Sequence, residues 1–257
     1  VNELTKTEMP HKFQPDIVGK ALLDYLSGNQ NAKLEVFSDM SEDDQIPVKH
    51  FFRTMDEMPE LEKKALELCK GKVLDIGAAA GCHSLVLQEK GLQVKALDIS
   101  EGAVEVMKKR GVQDVEQQDF FNLSNQKFDT LLMLMNGIGI CGNLENLDQF
   151  FIQIRKLLNP GGQVLLDSSN ILFMFEEEDG SVMLDLNSNY YGEVKYQFGY
   201  KGQKSAPFDW LFVDFDLLND YAQKHGFECG LVAEGLHYDY LARLKPVIMK
   251  SHPMNSV

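Results

Sequence analysis

Four cysteines in 257 residues are too few and too scattered to staple anything. Cys69, Cys82, Cys141 and Cys229 form no C-x-x-C and no paired spacing, so the chain has no disulfide framework or cysteine-built zinc site to offer. They read as reduced, mostly buried thiols. Long apolar runs are missing too. No stretch approaches the roughly twenty apolar residues that cross a bilayer. Val1–Gln14 is polar and lacks the apolar core of a signal peptide, which makes a cytoplasmic protein without membrane partners the expectation. Positive charge is scarce: 25 Lys and Arg stand against 39 Asp and Glu, a net charge of −14. Gripping a phosphate backbone takes clustered cations. The cluster present, Lys108-Lys109-Arg110, ends a predicted helix, where cations complement the dipole. Nucleic acid is therefore not an expected partner. The acidic run Glu176-Glu177-Glu178-Asp179 has no companion histidine or spaced acid, so no metal is expected either.

What remains is ordinary globular material, 44% hydrophobic and 25% charged, long enough to bury a sizeable core. The informative stretch runs from Val73 to His83 and on to Asp98. Val73-Leu74-Asp75-Ile76 reads as a buried strand and Gly77-Ala78-Ala79-Ala80-Gly81 as a tight loop of small residues. An amphipathic helix follows from Cys82, then a second strand ending in Asp98. Small residues let a ligand approach the backbone, and the helix behind them offers unpaired N–H groups. An acid about twenty residues past the first glycine sits where a carboxylate accepts both ribose hydroxyls of a nucleoside cofactor. The dinucleotide fingerprint G-x-G-x-x-G is not met, because Ala79 and Cys82 occupy its second and third glycine positions. Asp75 before the loop would repel a pyrophosphate but suits the ammonium group of an amino-acid tail.

On these residues the chain resembles the class I S-adenosylmethionine-dependent methyltransferases, of the type 11-like kind. The resemblance runs from about Leu61 to Gly161-Gly162 and more loosely to Pro246. It implies S-adenosylmethionine as cofactor and S-adenosylhomocysteine as product. Gly77, Ala78, Ala79 and Gly81 then form the cofactor loop, with Asp75 and His83 toward the amino-acid tail and Asp98 on the ribose. Ile99 lies on the adenine face, while Asp119 and the backbone of Phe120 meet the adenine edge. Met135 and Asn136, in Met135-Asn136-Gly137-Ile138-Gly139, flank the transferable methyl. That segment is not the Asn-Pro-Pro-aromatic motif of enzymes acting on adenine or glutamine amides. Asn136, His50 and Tyr191 are the candidates for a catalytic part.

Strands are predicted at Lys72–Ile76, Gln93–Leu97, Asp114–Gln117, Thr130–Met135 and Gln163–Leu166, alternating with helices at Cys82–Lys90, Gly102–Lys109 and Leu144–Leu158. Such alternation implies a parallel sheet covered on both faces. Glu228–Ala233 and Tyr238–Leu244 read as a closing hairpin. The resemblance implies a Rossmann-like α/β fold with a seven-stranded, mostly parallel sheet in the order 3-2-1-4-5-7-6. Residues 1–58 are read as a helical cap or lid opening with a helix at Ile17–Leu26. Residues 59–246 are read as the cofactor-binding domain, with an antiparallel ribbon inserted at 189–214, and 247–257 as a tail. The expected activity is in-line methyl transfer to a small, neutral or cationic acceptor. A protein side chain as acceptor and a catalytically silent cofactor-binding module are the alternatives, and a nicotinamide oxidoreductase ranks below them.

Overall fold

The computed structural model describes residues 15–177, 179–184 and 189–247. The start of the expected cap, Glu178 of the acidic run and nearly all of the expected tail lie outside the described residues. Six α-helices fall at Ile17–Leu26 (α1), Glu60–Leu68 (α2), Cys82–Glu89 (α3), Glu101–Arg110 (α4), Leu147–Leu157 (α5) and Phe215–Lys224 (α6). Two strands precede the core, Lys33–Ser38 (β1) and Asp44–Pro47 (β2). The core strands begin with Lys72–Ile76 (β3), Gln93–Asp98 (β4), Asp114–Gln117 (β5), Phe128–Met133 (β6) and Leu158–Ser169 (β7). Glu193–Tyr200 (β8), Gln203–Lys204 (β9) and Phe208–Leu211 (β10) come next, and Phe227–Glu234 (β11) and Asp239–Pro246 (β12) close the chain.

Seven strands make one sheet in the order β11-β12-β7-β6-β3-β4-β5. The strands from β7 to β5 run parallel, and β12 and β11 pair antiparallel. This is the expected order. Neighbouring residues of each strand serve opposite layers, as the pleat requires. Val73, Leu132, Leu165 and Leu241 pack with α2 and α3. Leu74, Leu131, Val164 and Ala242 pack with α5 and α6. Strands buried on both faces must be apolar at successive positions, which is why they are legible as short apolar runs. No helix among the described residues is long and apolar enough to cross a membrane.

The segment before α2 departs from the expectation of a helical cap. It carries the β1–β2 hairpin, and β1 pairs with β8 of the expected ribbon, giving a second sheet in the order β10-β8-β1-β2 with β9 alongside β8. The partner that stabilises β1 lies far along the chain, so no local pattern announces it. β7 also starts at Leu158, ahead of its predicted place at Gln163. It takes Asn159–Gly162 into the strand, with Gly161 left-handed and an irregular register opposite Phe128–Thr130.

The second sheet is joined to the first through α1, which crosses α4 where both helices carry glycine. A Cβ on Gly102 would lie 2.6 Å from the Gly19 Cα, so only hydrogen fits there. Gly102→Ala should therefore push α1 off α4 and cost about 1–3 kcal/mol, the usual cost of overpacking. A lower midpoint in urea unfolding is the expected readout. An unchanged midpoint would show that the helices can separate freely.

Candidate functional site

The carboxyl ends of β3, β4 and β6 open on a crevice, the place where open α/β sheets bind ligands. β3 leads directly into the small-residue loop. Gly77, Ala79 and Gly81 all adopt left-handed backbone, Ala79 with φ +48°. An L-residue there is strained, and three hydrogen bonds hold the loop in place. The N–H groups of Gly77 and Ala78 both donate to the Leu97 carbonyl, at 2.9 and 3.1 Å. The Ala79 N–H donates to Asp98 Oδ2 at 2.8 Å. The other oxygen, Oδ1, accepts from the Ser100 N–H at 2.9 Å. Burial pushes the Asp98 carboxyl up to about 6, and the nearby Asp16 adds to the rise against the pull of the Ser100 and Ala79 N–H groups.

Around this centre lie the residues expected at the adenine. The Gln118 N–H donates to the Asp98 carbonyl at 3.1 Å, bringing the end of β5 alongside. Asp119 caps a short 3-10 turn, accepting from the Phe121 N–H at 2.9 Å and the Asn122 amide at 3.1 Å. The Phe120 ring is buried in the core against Phe150. Ile99 stands 64% exposed at the rim, a large apolar side chain left without cover.

Below the loop lies a buried chain of charge. Asp75 is 2% exposed and accepts the Ser84 hydroxyl at 2.6 Å. His83 Nε2 is 2.8 Å from Glu62 Oε2, and the Arg53 guanidinium donates to both Glu62 oxygens at 2.9 and 3.0 Å. Burial works against a charged His83, yet Cys82, Glu62 and Asp75 together raise it well above its ordinary value. Burial likewise opposes the Glu62 carboxylate, but His83 and Arg53 hold it below the usual range. His50 is half-buried beside this chain, and burial, with the Arg53 charge, lowers its imidazole. Glu62 and Arg53 do not stand out in the sequence, because a lone acid on a helix reads as solvated. Only their packing around His83 reveals them.

At the end of β6 the backbone turns through two consecutive left-handed residues, Met135 (φ +65°) and Asn136 (φ +56°). Neither is glycine, so the turn needs support. Asp167, near the end of β7, supplies it by accepting the N–H groups of Met135 and Gly137 at 3.0 and 3.1 Å. Burial pushes the Asp167 carboxyl up to about 6 against those two donors. Asp167 is not among the residues expected from the sequence, although an acid after an apolar strand is the same signal that marks Asp98. Asn136 uses both ends of its amide: it donates to the Leu211 carbonyl at 3.1 Å and accepts the Ser168 hydroxyl at 2.9 Å. Tyr191 donates its hydroxyl between Asn170 Oδ1 and Asp214 Oδ2, at 3.1 and 3.0 Å. The second sheet lies against this turn, with Trp210 so close to Gly139 that a Cβ there would meet the indole at 2.1 Å. Among the described residues no group of His, Cys, Asp and Glu is arranged to hold a metal ion.

A family model described as a methyltransferase domain matches residues 73–162. The whole chain is similar to a solved S-adenosylmethionine-dependent methyltransferase from Bacteroides fragilis, in complex with S-adenosyl-L-homocysteine. Identity is 45%, coverage 94% of this chain and 98% of that one, and the TM-score 0.86. Over 102 residues it is 33% identical to the cypemycin N-terminal methyltransferase of a Streptomyces species, covering 38% of this chain and 42% of the relative. Over 121 residues it is 25% identical to the ubiquinone biosynthesis O-methyltransferase of Rickettsia conorii, covering 43% and 39%. The chain thus spans about two fifths of the length of these two curated relatives.

The Asp98 environment makes a pH prediction. Its folded value lies above the ordinary carboxylate value of 3.8. The folded state therefore binds more protons than the unfolded chain between about pH 4 and 6, and the stability tied to this group is lost as pH rises through that window. The unfolding free energy of Asp98→Asn relative to the parent should therefore shift in the variant's favour from pH 4 to pH 7. A difference that stays constant across that range would show that Asp98 titrates as an ordinary carboxylate.

Proposed function

The chain belongs to the S-adenosylmethionine-dependent methyltransferases, and from that premise we propose that it transfers a methyl group from S-adenosylmethionine to a small-molecule acceptor. The observation that carries the reading is Asp98, held by two backbone N–H groups beside a loop whose side chains are no larger than methyl. A ribose presents two adjacent hydroxyl donors, and each Asp98 oxygen, having accepted one N–H, keeps further capacity to accept. A Cβ on Gly77 would meet nothing within 4 Å, so open space adjoins the loop. The residues fit the cofactor.

In this reading Asp98 holds the ribose, Ile99 covers one adenine face, and Asp119 with the Phe120 backbone meets the adenine edge. Gly77, Ala78, Ala79 and Gly81, with Asp75 and His83 beneath them, receive the amino-acid tail. Met135 and Asn136 border the methyl end. When bound, S-adenosylmethionine supplies a methyl group on a sulfonium already activated for displacement. The task of the chain is to align the acceptor and exclude water. The Asp167-braced turn keeps the backbone at the methyl end from relaxing. Residues 15–58 and the second sheet act as the cover: Phe52 lies under the Arg110 guanidinium, whose N–H donates to the Ala80 carbonyl at 2.5 Å. A base is required only for a weakly acidic acceptor. His50 and Tyr191 are the groups at hand for that.

Three measurements test the proposal. S-adenosylhomocysteine release should be seen with pooled metabolites and not with bulk tRNA or DNA. Release only with basic protein segments would move the acceptor to protein, and a thermal shift with NAD(P) in place of S-adenosylmethionine would overturn the cofactor. Asp98→Ala should weaken S-adenosylhomocysteine binding by about 1.5–3 kcal/mol for each charge-assisted hydrogen bond lost. Unchanged affinity in calorimetric titration would remove Asp98 from the site.

A further inference from the structure

The polar groups gathered beyond the Met135–Asn136 turn are overwhelmingly acceptors. Asp167 takes two backbone N–H groups from that turn. Next to it the chain of Ser168 leads outward: its hydroxyl donates to Asn136 and accepts from the Val213 N–H at 3.0 Å. One residue further is Asp214, which accepts the hydroxyls of Tyr190 and Tyr191 at 2.8 and 3.0 Å. Both phenol hydrogens are thus committed to carboxylate or to Asn170; the Tyr190 oxygen also accepts the Asp214 N–H at 3.3 Å, so what the two oxygens still offer is their remaining lone pairs, made more basic by donation to an anion. Burial raises both phenols further from ionisation, Tyr191 to about 12, so they stay neutral. The donors these side chains retain are amide hydrogens of Asn136 and Asn170, set against two carboxylates. Among the described residues, lysine and arginine side chains take no part in these hydrogen bonds of Asp167, Asp214, Tyr190 and Tyr191. His83, whose charge acts on Asp167, is turned to Glu62.

Aromatic faces border the same place. Tyr190 and Tyr191 meet at a tilt of 47° with ring centroids 4.4 Å apart, and Phe175 meets Tyr191 edge-on at 6.1 Å. Asn170, which accepts from Tyr191, also donates its N–H to the Tyr238 carbonyl at 2.9 Å, and Tyr238 stacks on Phe173 at 4.7 Å with both rings exposed. An acceptor-lined patch with two anionic groups, framed by π faces, rejects carboxylates and phosphates and favours a cationic N–H donor on an apolar body. We infer that the acceptor subsite, between Asp167 and the Tyr190–Tyr191–Asp214 cluster, takes an organic amine carried on an aromatic or alkyl group. The inference deepens the methyl-transfer reading and rests on it only for the claim that the bound amine is the group methylated: the ammonium gives one N–H proton to a carboxylate of the patch, Asp167 or Asp214, and the freed nitrogen lone pair forms the new N–C bond as the methyl–sulfur bond breaks and S-adenosylhomocysteine leaves.

The test is a calorimetric titration of the full chain at pH 7, with and without S-adenosylhomocysteine. The probes are 2-phenylethylamine, 2-phenylethanol and 3-phenylpropanoate, which share a ring and differ in the charge at the end of the chain. The amine should bind about tenfold or more tighter than the alcohol, the gain of a charge-assisted contact, and the carboxylate should bind weakest. Asp214→Asn keeps an α6 N-cap of equal quality, so the helix survives while the charge goes. In it, and in Asp167→Asn, the preference for amine over alcohol should fall severalfold. Failure of the amine to bind, an alcohol or carboxylate that binds as well, or a preference untouched in both variants overturns the inference. Amine binding without S-adenosylhomocysteine formation from any amine would instead sink the methyl-transfer reading alone.

Discussion

Two carboxylates that ligate backbone N–H groups fix the crevice, and the rest of the site is arranged around them. Asp98 holds the strained Ala79 on one oxygen and the Ser100 N–H on the other. Ser100 in turn caps α4 and donates its hydroxyl to Asp16. Asp16 accepts from Gly19 in α1 at 2.8 Å and from Gly102 in α4 at 2.9 Å, so one carboxylate closes the positive ends of two helices. The loop, the end of β4 and the first helix of the cover are therefore one hydrogen-bonded unit. Burying Asp98, with Asp16 close by, has a cost, seen in its raised carboxyl, and the backbone donors of Ser100 and Ala79 offset it.

The Arg53–Glu62–His83 chain performs a comparable joining on the other side of the loop. It ties the residues before α2 to the start of α3, with every side chain less than 10% exposed. Buried ion pairs of this kind add little net stability, since desolvation consumes most of the attraction, but breaking one partner strands the others. The chain thus constrains where the cover can sit more than how firmly the protein folds. The residues before α2 and the second sheet meet the core at the α1–α4 glycine contact, at this buried chain and at Trp210 on Gly139, among other contacts.

Much of this is legible in the sequence, and the pattern of what is not has physical causes. β3 and β4 can be placed to within a residue because strands buried on both faces must be apolar between turn residues. Asp98 is legible because an acid closing such a strand points into the crevice where a ligand would sit; Asp167 carries the same signal yet is not among the expected site residues. β1 and β2 are not legible. Asp44-Gln45-Ile46-Pro47 contains one aliphatic residue and a proline, and its strand state is imposed by β1, which is itself imposed by β8. Glu62, on α2, and Arg53, in the segment before it, escape because a charged residue acquires meaning only from what packs over it. Asn136 reads as a site residue from its glycine neighbours. Its amide, in fact, is spent bracing Leu211 and Ser168, a division of labour that no local pattern encodes.

Trp210 carries a consequence of its own. It is the one tryptophan in the chain, and it lies on the bare backbone of Gly139, at the seam between the second sheet and the segment that follows the β6 turn. All indole emission therefore originates at the seam between the second sheet and the core, a few residues along the chain from the Met135–Asn136 turn. The protein carries its own optical gauge. Its emission maximum and its access to small quenchers register the separation of those two bodies directly, with no label and no second chromophore of the same kind to subtract.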